Sequence, residues 1–151
     1  MPNWTTITDT AINASRNAAY LTELRDMAST NGYADPFPEL VSDVVSQIRA
    51  RISTGNTLDV DPTKIPNSLK GLALRMLGRA IKSALPVALS EDERTEAKDD
   101  LSYLNRITDE KIRFELPDSP AGTAEKQSGE GISVVSGSRP FATRRTMDGL
   151  L

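Results

Sequence analysis

The chain contains no cysteine and no histidine. Without Cys there can be no disulfide, no thiolate nucleophile and no Cys-ligated zinc or iron–sulfur centre. Without His, the commonest general base and the commonest transition-metal ligand are missing. Ser133, Ser136 and Ser138 therefore have no imidazole to activate them. Aromatic residues make up only 5%, which leaves few large anchors. Net charge is -3 and the pI about 5.0, so no global positive field attracts DNA. No apolar run approaches the roughly 20 residues of a membrane span. The opening MPNWTTITDT lacks the basic and apolar regions of a signal peptide. These absences predict a soluble chain made in a cytoplasm, with no membrane contact; carboxylates could still bind Mg²⁺ or Ca²⁺, but no cofactor, metal or catalytic residue is expected.

What is present is enough for one real core: 151 residues, of which 38% are hydrophobic. The chain falls into two unlike parts. Residues 1–116 read as a helical body. Residues 117–151 read as a tail with too little apolar periodicity to fold alone, and a tail of that kind points to assembly rather than catalysis.

Within the body, apolar spacing predicts four helices. The first runs from about Thr8 to Ser29, capped by Thr8, Asp9 or Thr10. Ala14, Ala18, Leu21, Leu24 and Ala28 make its stripe, and Asn31-Gly32 ends it. Pro36 or Pro38 starts the second, which reaches about Thr54. Its face is Leu40, Val41, Val44, Val45, Ile48 and Ile52, with Arg49 and Arg51 pointing away. A connector, Thr57–Pro66, leads to the third helix, Ser68–Leu85, capped by Asn67 or Ser68. This helix has the widest apolar stripe and is expected to be central. Gly71 and Gly78 lower its helicity by roughly 1 kcal/mol each and allow close packing. Ser90 and Glu93 have capping-box spacing and open the fourth helix, which ends near Ile107. Ala97, Leu101, Leu104 and Ile107 face inward. Lys111–Leu116 alternates like a short strand. The expected fold is all-α: a four-helix bundle body with a short strand and a long extended C-terminal tail.

Three body features bear on chemistry. Asp59 and Asp61 flank Val60 in LDVDP and could offer oxygens to a cation. The spaced ligands of a calcium loop are missing, so a turn with Asp side chains on local N–H groups is the better reading. SEDERTEAKDD reads as a helix start and a solvated face rather than a cation site. Lys70, Arg75, Arg79 and Lys82 on the third helix could meet nucleic acid, which motivates the alternative of a small helical DNA-binding or regulatory protein. They span about two sides of the helix, so a solvated or subunit-contacting face is preferred.

The tail divides into three pieces. Pro117–Glu130 is spacer. Gly131–Ser138, with Ile132, Val134 and Val135, reads equally as a strand added to a partner's sheet edge or as linker. Arg139–Leu151 reads as a docking end. Phe141, Met147, Leu150 and Leu151 are its apolar anchors; Arg139, Arg144 and Arg145 can pair bidentately with carboxylates.

An ordered set of residues resembles the head–tail connector (adaptor) proteins of tailed bacteriophages, including Mu-type neck proteins. The set is Trp4 with Ile7-Thr8, Gly32 with Asp35-Pro36, IRARI from Ile48 to Ile52, Ile65-Pro66 with Leu69, Tyr103-Leu104, and RPF…R…L from Arg139 to Leu150. It covers nearly the whole chain. One place departs from the pattern: the fourth helix ends in RITDEK, where a glycine-containing turn is expected. The resemblance implies a structural virion protein, not an enzyme, at the neck of the particle. It implies a ring of about twelve copies below the portal, with the portal protein, neighbouring copies and a downstream stopper or tail-terminator protein as partners. Genomic DNA would pass through the channel without specific binding, past an acidic lining.

Overall fold

A computed structural model describes residues 1–121. They are mostly helical, with five α-helices and one small antiparallel sheet. The order is β1 (Trp4–Thr6), α1 (Asp9–Asn13), α2 (Ala18–Thr30), α3 (Phe37–Ile52), β2 (Lys64–Pro66), a 3-10 turn (Asn67–Leu69), α4 (Lys70–Ala84) and α5 (Glu91–Thr108).

The first expected helix is broken into α1 and α2. Ser15 is the reason on the local scale. Its hydroxyl donates to the Ile12 carbonyl at 2.6 Å and accepts the Asn17 N–H at 3.2 Å, so the side chain competes with the helical ladder. The break turns Asn17 inward, where it is buried against Gly78 of α4. Ala14, placed on the apolar stripe by periodicity, is exposed, and Ile12 takes the core position instead.

α2 ends as Gly32 allows. At φ 74°, Gly32 donates to Ser29 O, and the Tyr33 N–H reaches back to Ala28 O. This is the paired closure of a left-handed helix C-terminus. α5 ends the same way without glycine. Glu110 adopts φ 60°, its N–H meets Ile107 O, and the Lys111 N–H meets Arg106 O. The turn for which glycine was expected is therefore built at a steric cost of about 1–2 kcal/mol.

α3 starts with Pro38 in its first turn, and the Asp35 carboxylate accepts the Phe37 N–H. α5 starts with the capping box: Ser90 Oγ accepts the Glu93 N–H while Glu93 Oε2 accepts the Ser90 N–H. α4 has no side-chain cap. Asn67 instead ties the turn to the N-terminus: its side chain donates to Pro2 O and its backbone N–H to Asn3 O, while its carbonyl accepts the Lys70 N–H.

α4 is the central helix, touching α1, α2, α3 and α5. Its Leu72, Ala73, Leu77 and Ile81 join Ile48 and Ile52 of α3, Leu104 and Ile107 of α5, and Leu21 and Leu24 of α2 in one core. On α5 the inward set needs correcting. Leu101 is 52% exposed, and Asp100 takes the buried place beside it.

The only sheet among the described residues pairs β1 with β2, Trp4 opposite Pro66 and Thr6 opposite Lys64. The strand expected at Lys111–Leu116 does not form. That segment is extended, but its main chain pairs with side chains. Asn56 accepts the Phe114 N–H and donates to Ile112 O, and the Trp4 indole donates to Glu115 O. Leu116 is exposed, and Pro117 is buried.

The body reaches past Leu116 to Pro120, the end of the first compact unit. The Asp118 carboxylate accepts the Asn3 N–H, and Val60 N–H donates to Ser119 O.

Candidate functional site

The tail residues singled out for docking are Ile132, Val134, Val135, Arg139, Phe141, Arg144, Arg145, Met147 and Leu150. All lie outside the described residues, so the body is where geometry can be read.

The connector between α3 and β2 is a built structure. Asp59 Oδ1 accepts the Asp61 N–H at 2.9 Å, and its Oδ2 accepts the Ser119 N–H at 3.2 Å. Asp61 Oδ1 takes both the backbone N–H and the hydroxyl of Thr63, which holds the Asp61 carboxyl below its usual range. These are the turn contacts expected of the two aspartates.

Arg49 was expected to point away from the core, and it does not. Its guanidinium donates to Asp61 O at 3.0 Å, Lys64 O at 2.7 Å and Asp59 O at 2.7 Å. It also lies 5.9 Å from the Trp4 ring centre. One side chain thus closes three connector carbonyls and caps the buried indole. Arg51 joins α3 to Asn105 and Thr108 of α5.

The basic set on α4 is largely committed inside the body. Arg75 and Arg79 both grip Asp100 at 2.6 Å. Burial pushes the Asp100 carboxyl up, but the hydrogen bonds from the two arginines outweigh it and bring the group below its ordinary value. The same contact raises Arg75. Lys82 is buried, ion-pairs with Glu93 and sits 4.8 Å from the Tyr20 ring centre. Its hydrogen bond, followed by that of the Ser90 N–H, lowers the Glu93 carboxyl. Glu93 and Asp100 therefore leave the solvated face assigned to the acidic run. Only Lys70 and the outer part of Arg75 stay on the surface. Arg79 Nη1 is buried without a hydrogen-bond partner among the described residues.

A cleft of about 500 Å³ was not visible in the sequence. Its floor is Ile7, Phe37, Val41 and Val45, with Pro38 and Pro62 at its sides. Asp9 and Asp35 stand on its rim, both held by Arg25 at 3.0 Å. That guanidinium also lies 5.0 Å from the Phe37 ring centre. Hydrogen bonding to Arg25, then to the Phe37 N–H, lowers the Asp35 carboxyl. Four chain segments contribute, so no local motif announces the cleft. An apolar floor with a carboxylate rim can hold a hydrophobic side chain flanked by cations.

A second cleft of about 430 Å³ lies between α3, α4 and α5, lined by Ala50, Met76, Ala97, Leu101 and Leu104. Among the described residues no group of three or more Asp or Glu is arranged to hold a metal ion. No described helix is long and apolar enough to cross a membrane.

Compared with family models, with curated proteins and with solved structures, the chain matches none.

Proposed function

We propose that the chain is a head–tail connector: a structural virion protein forming a ring below the portal, extending the DNA channel and joining capsid to tail. In this reading α2–α5 are the four-helix bundle of the ring wall. The tail after Ala121 fastens each subunit to a neighbour or to the portal.

The reading rests on the ordered set of residues that resembles such connectors, most of whose described members occupy positions that define the body. Trp4 is buried and bonded to Glu115 O. Gly32 supplies the left-handed turn and Asp35 the start of α3. Ile48 and Ile52 are core residues, with Arg49 locking the connector between them. Ile65 and Leu69 are fully buried, and Leu104 packs in the same core.

Glu91, Asp92 and Asp99 lie exposed on α5, interspersed with the exposed Arg94, Lys98 and Arg106. A channel wall of carboxylates repels phosphate and lets DNA slide. Of the α4 basic groups that could hold DNA, Arg75, Arg79 and Lys82 are paired with Asp100 and Glu93, and Lys70 stays on the surface.

The test is a deletion of residues 122–151. The shortened chain should fold, with its helical circular dichroism kept, and should fail to join the portal or virions. A shortened chain that still assembles normally would overturn the proposal.

A further inference from the structure

We infer that the cleft floored by Phe37, Val41 and Val45 is the receiving site for the Arg139–Leu151 segment of a second copy of this chain. The inference rests on the connector reading and supplies the contact that reading needs. A closed ring requires a heterologous contact, in which one surface of each subunit meets a different surface of the next. The cleft and the tail segment are complementary and reside on one chain.

The complementarity is chemical. The cleft offers an apolar floor and two rim carboxylates sharing one arginine. Asp9 spends Oδ1 on Arg25, and its side chain remains 54% exposed, so it can accept another donor. The segment 139–151 carries three arginines against the single Asp148, and they bracket Phe141. A phenylalanine buries about 150–250 Å² and is a typical interface anchor. Arginine pairs with an exposed carboxylate through two N–H groups. Phe141 on the floor, with an adjacent arginine on Asp9, satisfies both features together.

Reach permits the contact. The body ends at Pro120, which bridges Asp59 of the connector. The stretch from there to Arg139 spans up to roughly 60 Å when extended and about 25 Å as a flexible coil. A body of this size is about 35 Å across. A neighbour's cleft therefore lies within range once two bodies stand side by side, and there the tether holds the segment at about the millimolar level. The tail contact then reinforces subunits that a partner or a high concentration has already brought together.

Because the chain has no cysteine, introduced thiols report contacts without background. Ser42 lines the cleft and is exposed; Ser102 on α5 is exposed elsewhere. Full-length Ser42→Cys and Thr143→Cys chains are mixed under mild oxidation over a range of concentrations. The expected result is disulfide-linked pairs that rise with concentration and exceed those from Ser102→Cys with Thr143→Cys. Adding Phe141→Ala to the Thr143→Cys chain should cut the yield about fivefold or more. Equal linking at Ser42 and Ser102 would overturn the inference. So would exclusive linking within one chain in the Ser42→Cys/Thr143→Cys double variant, since the chain's own tail would then fill the cleft.

The mass of the unmodified protein reads ring formation separately. Rings without Ser42-specific linking would overturn the cleft assignment and leave the connector reading intact. Specific linking in a protein that stops at pairs would support the cleft and count against the ring.

Discussion

Replacing Arg49 should be among the most destabilising changes on the surface of α3, although a helical-wheel reading makes it a solvent residue. Its guanidinium satisfies three connector carbonyls and covers the only tryptophan. Hydrogen bonds from a charged donor contribute about 1.5–3 kcal/mol each in isolation, and the cation–ring contact about 0.5–1 kcal/mol. These terms do not add, because Asp61 and Lys64 are half-buried and water can reach part of the vacated site. A net loss of about 2–4 kcal/mol for Arg49→Ala follows. Arg49→Met keeps most of the stem packing and should lose about 2 kcal/mol, which isolates the guanidinium. Arg49→Lys keeps the charge but cannot span three acceptors, and should lose about 1–2 kcal/mol. Urea unfolding followed by Trp4 fluorescence is the assay, since that indole sits at the junction being tested. Arg49→Ala within about 0.5 kcal/mol of the parent, the range of ordinary surface changes, would refute the clamp. Full rescue by lysine would refute the role of the fork.

Asp100→Asn should cost about 2–3 kcal/mol at neutral pH, less than a fully buried pair because the Arg75 side chain is 43% exposed. The folded Asp100 and Glu93 carboxyls lie below their ordinary values of 3.8 and 4.5, so their contribution is present above those values and is lost as pH falls through the folded ones. Parent and Asp100→Asn stabilities, measured by urea titration at stepped pH, should therefore converge as pH falls below the ordinary carboxyl value of 3.8 and through the lower folded one. Gly78→Ala should destabilise by about 1–3 kcal/mol, because its new methyl would stand 2.0 Å from Asn17 Nδ2. Gly71→Ala meets nothing closer than 3.8 Å and should gain about 0.5 kcal/mol, both read by thermal melting. Leu101→Lys should leave stability within about 0.5 kcal/mol, as its exposure implies.

Helices α3, α4 and α5 were legible because their apolar spacing is long and regular, and Pro38, Ser90 with Glu93, and Gly32 after α2 mark ends through local chemistry. The break between α1 and α2 was not. Ser15 sits in a sequence that would suit a helix, and what favours the turn includes Asn17 packing on Gly78, some sixty residues away. β1 and β2 are too short to display a period of two. Arg49, Arg79 and Lys82 defeated the wheel for a shared reason. Hydropathy assigns a cation to solvent, but each of these has its acceptor on a segment that only the fold brings near. The aspartate turn at 59–61 was legible because its partners are two residues away. The cleft was not, since it is assembled from β1, α1, α2, α3 and the connector.

The mass of the native protein, recorded over rising concentration and again with purified portal rings, tests the central claim most directly. The connector account predicts a closed ring of about twelve copies, formed alone at high concentration or on the portal, and lost when residues 122–151 are removed. A single-chain mass under both conditions, unchanged by that deletion, would contradict it.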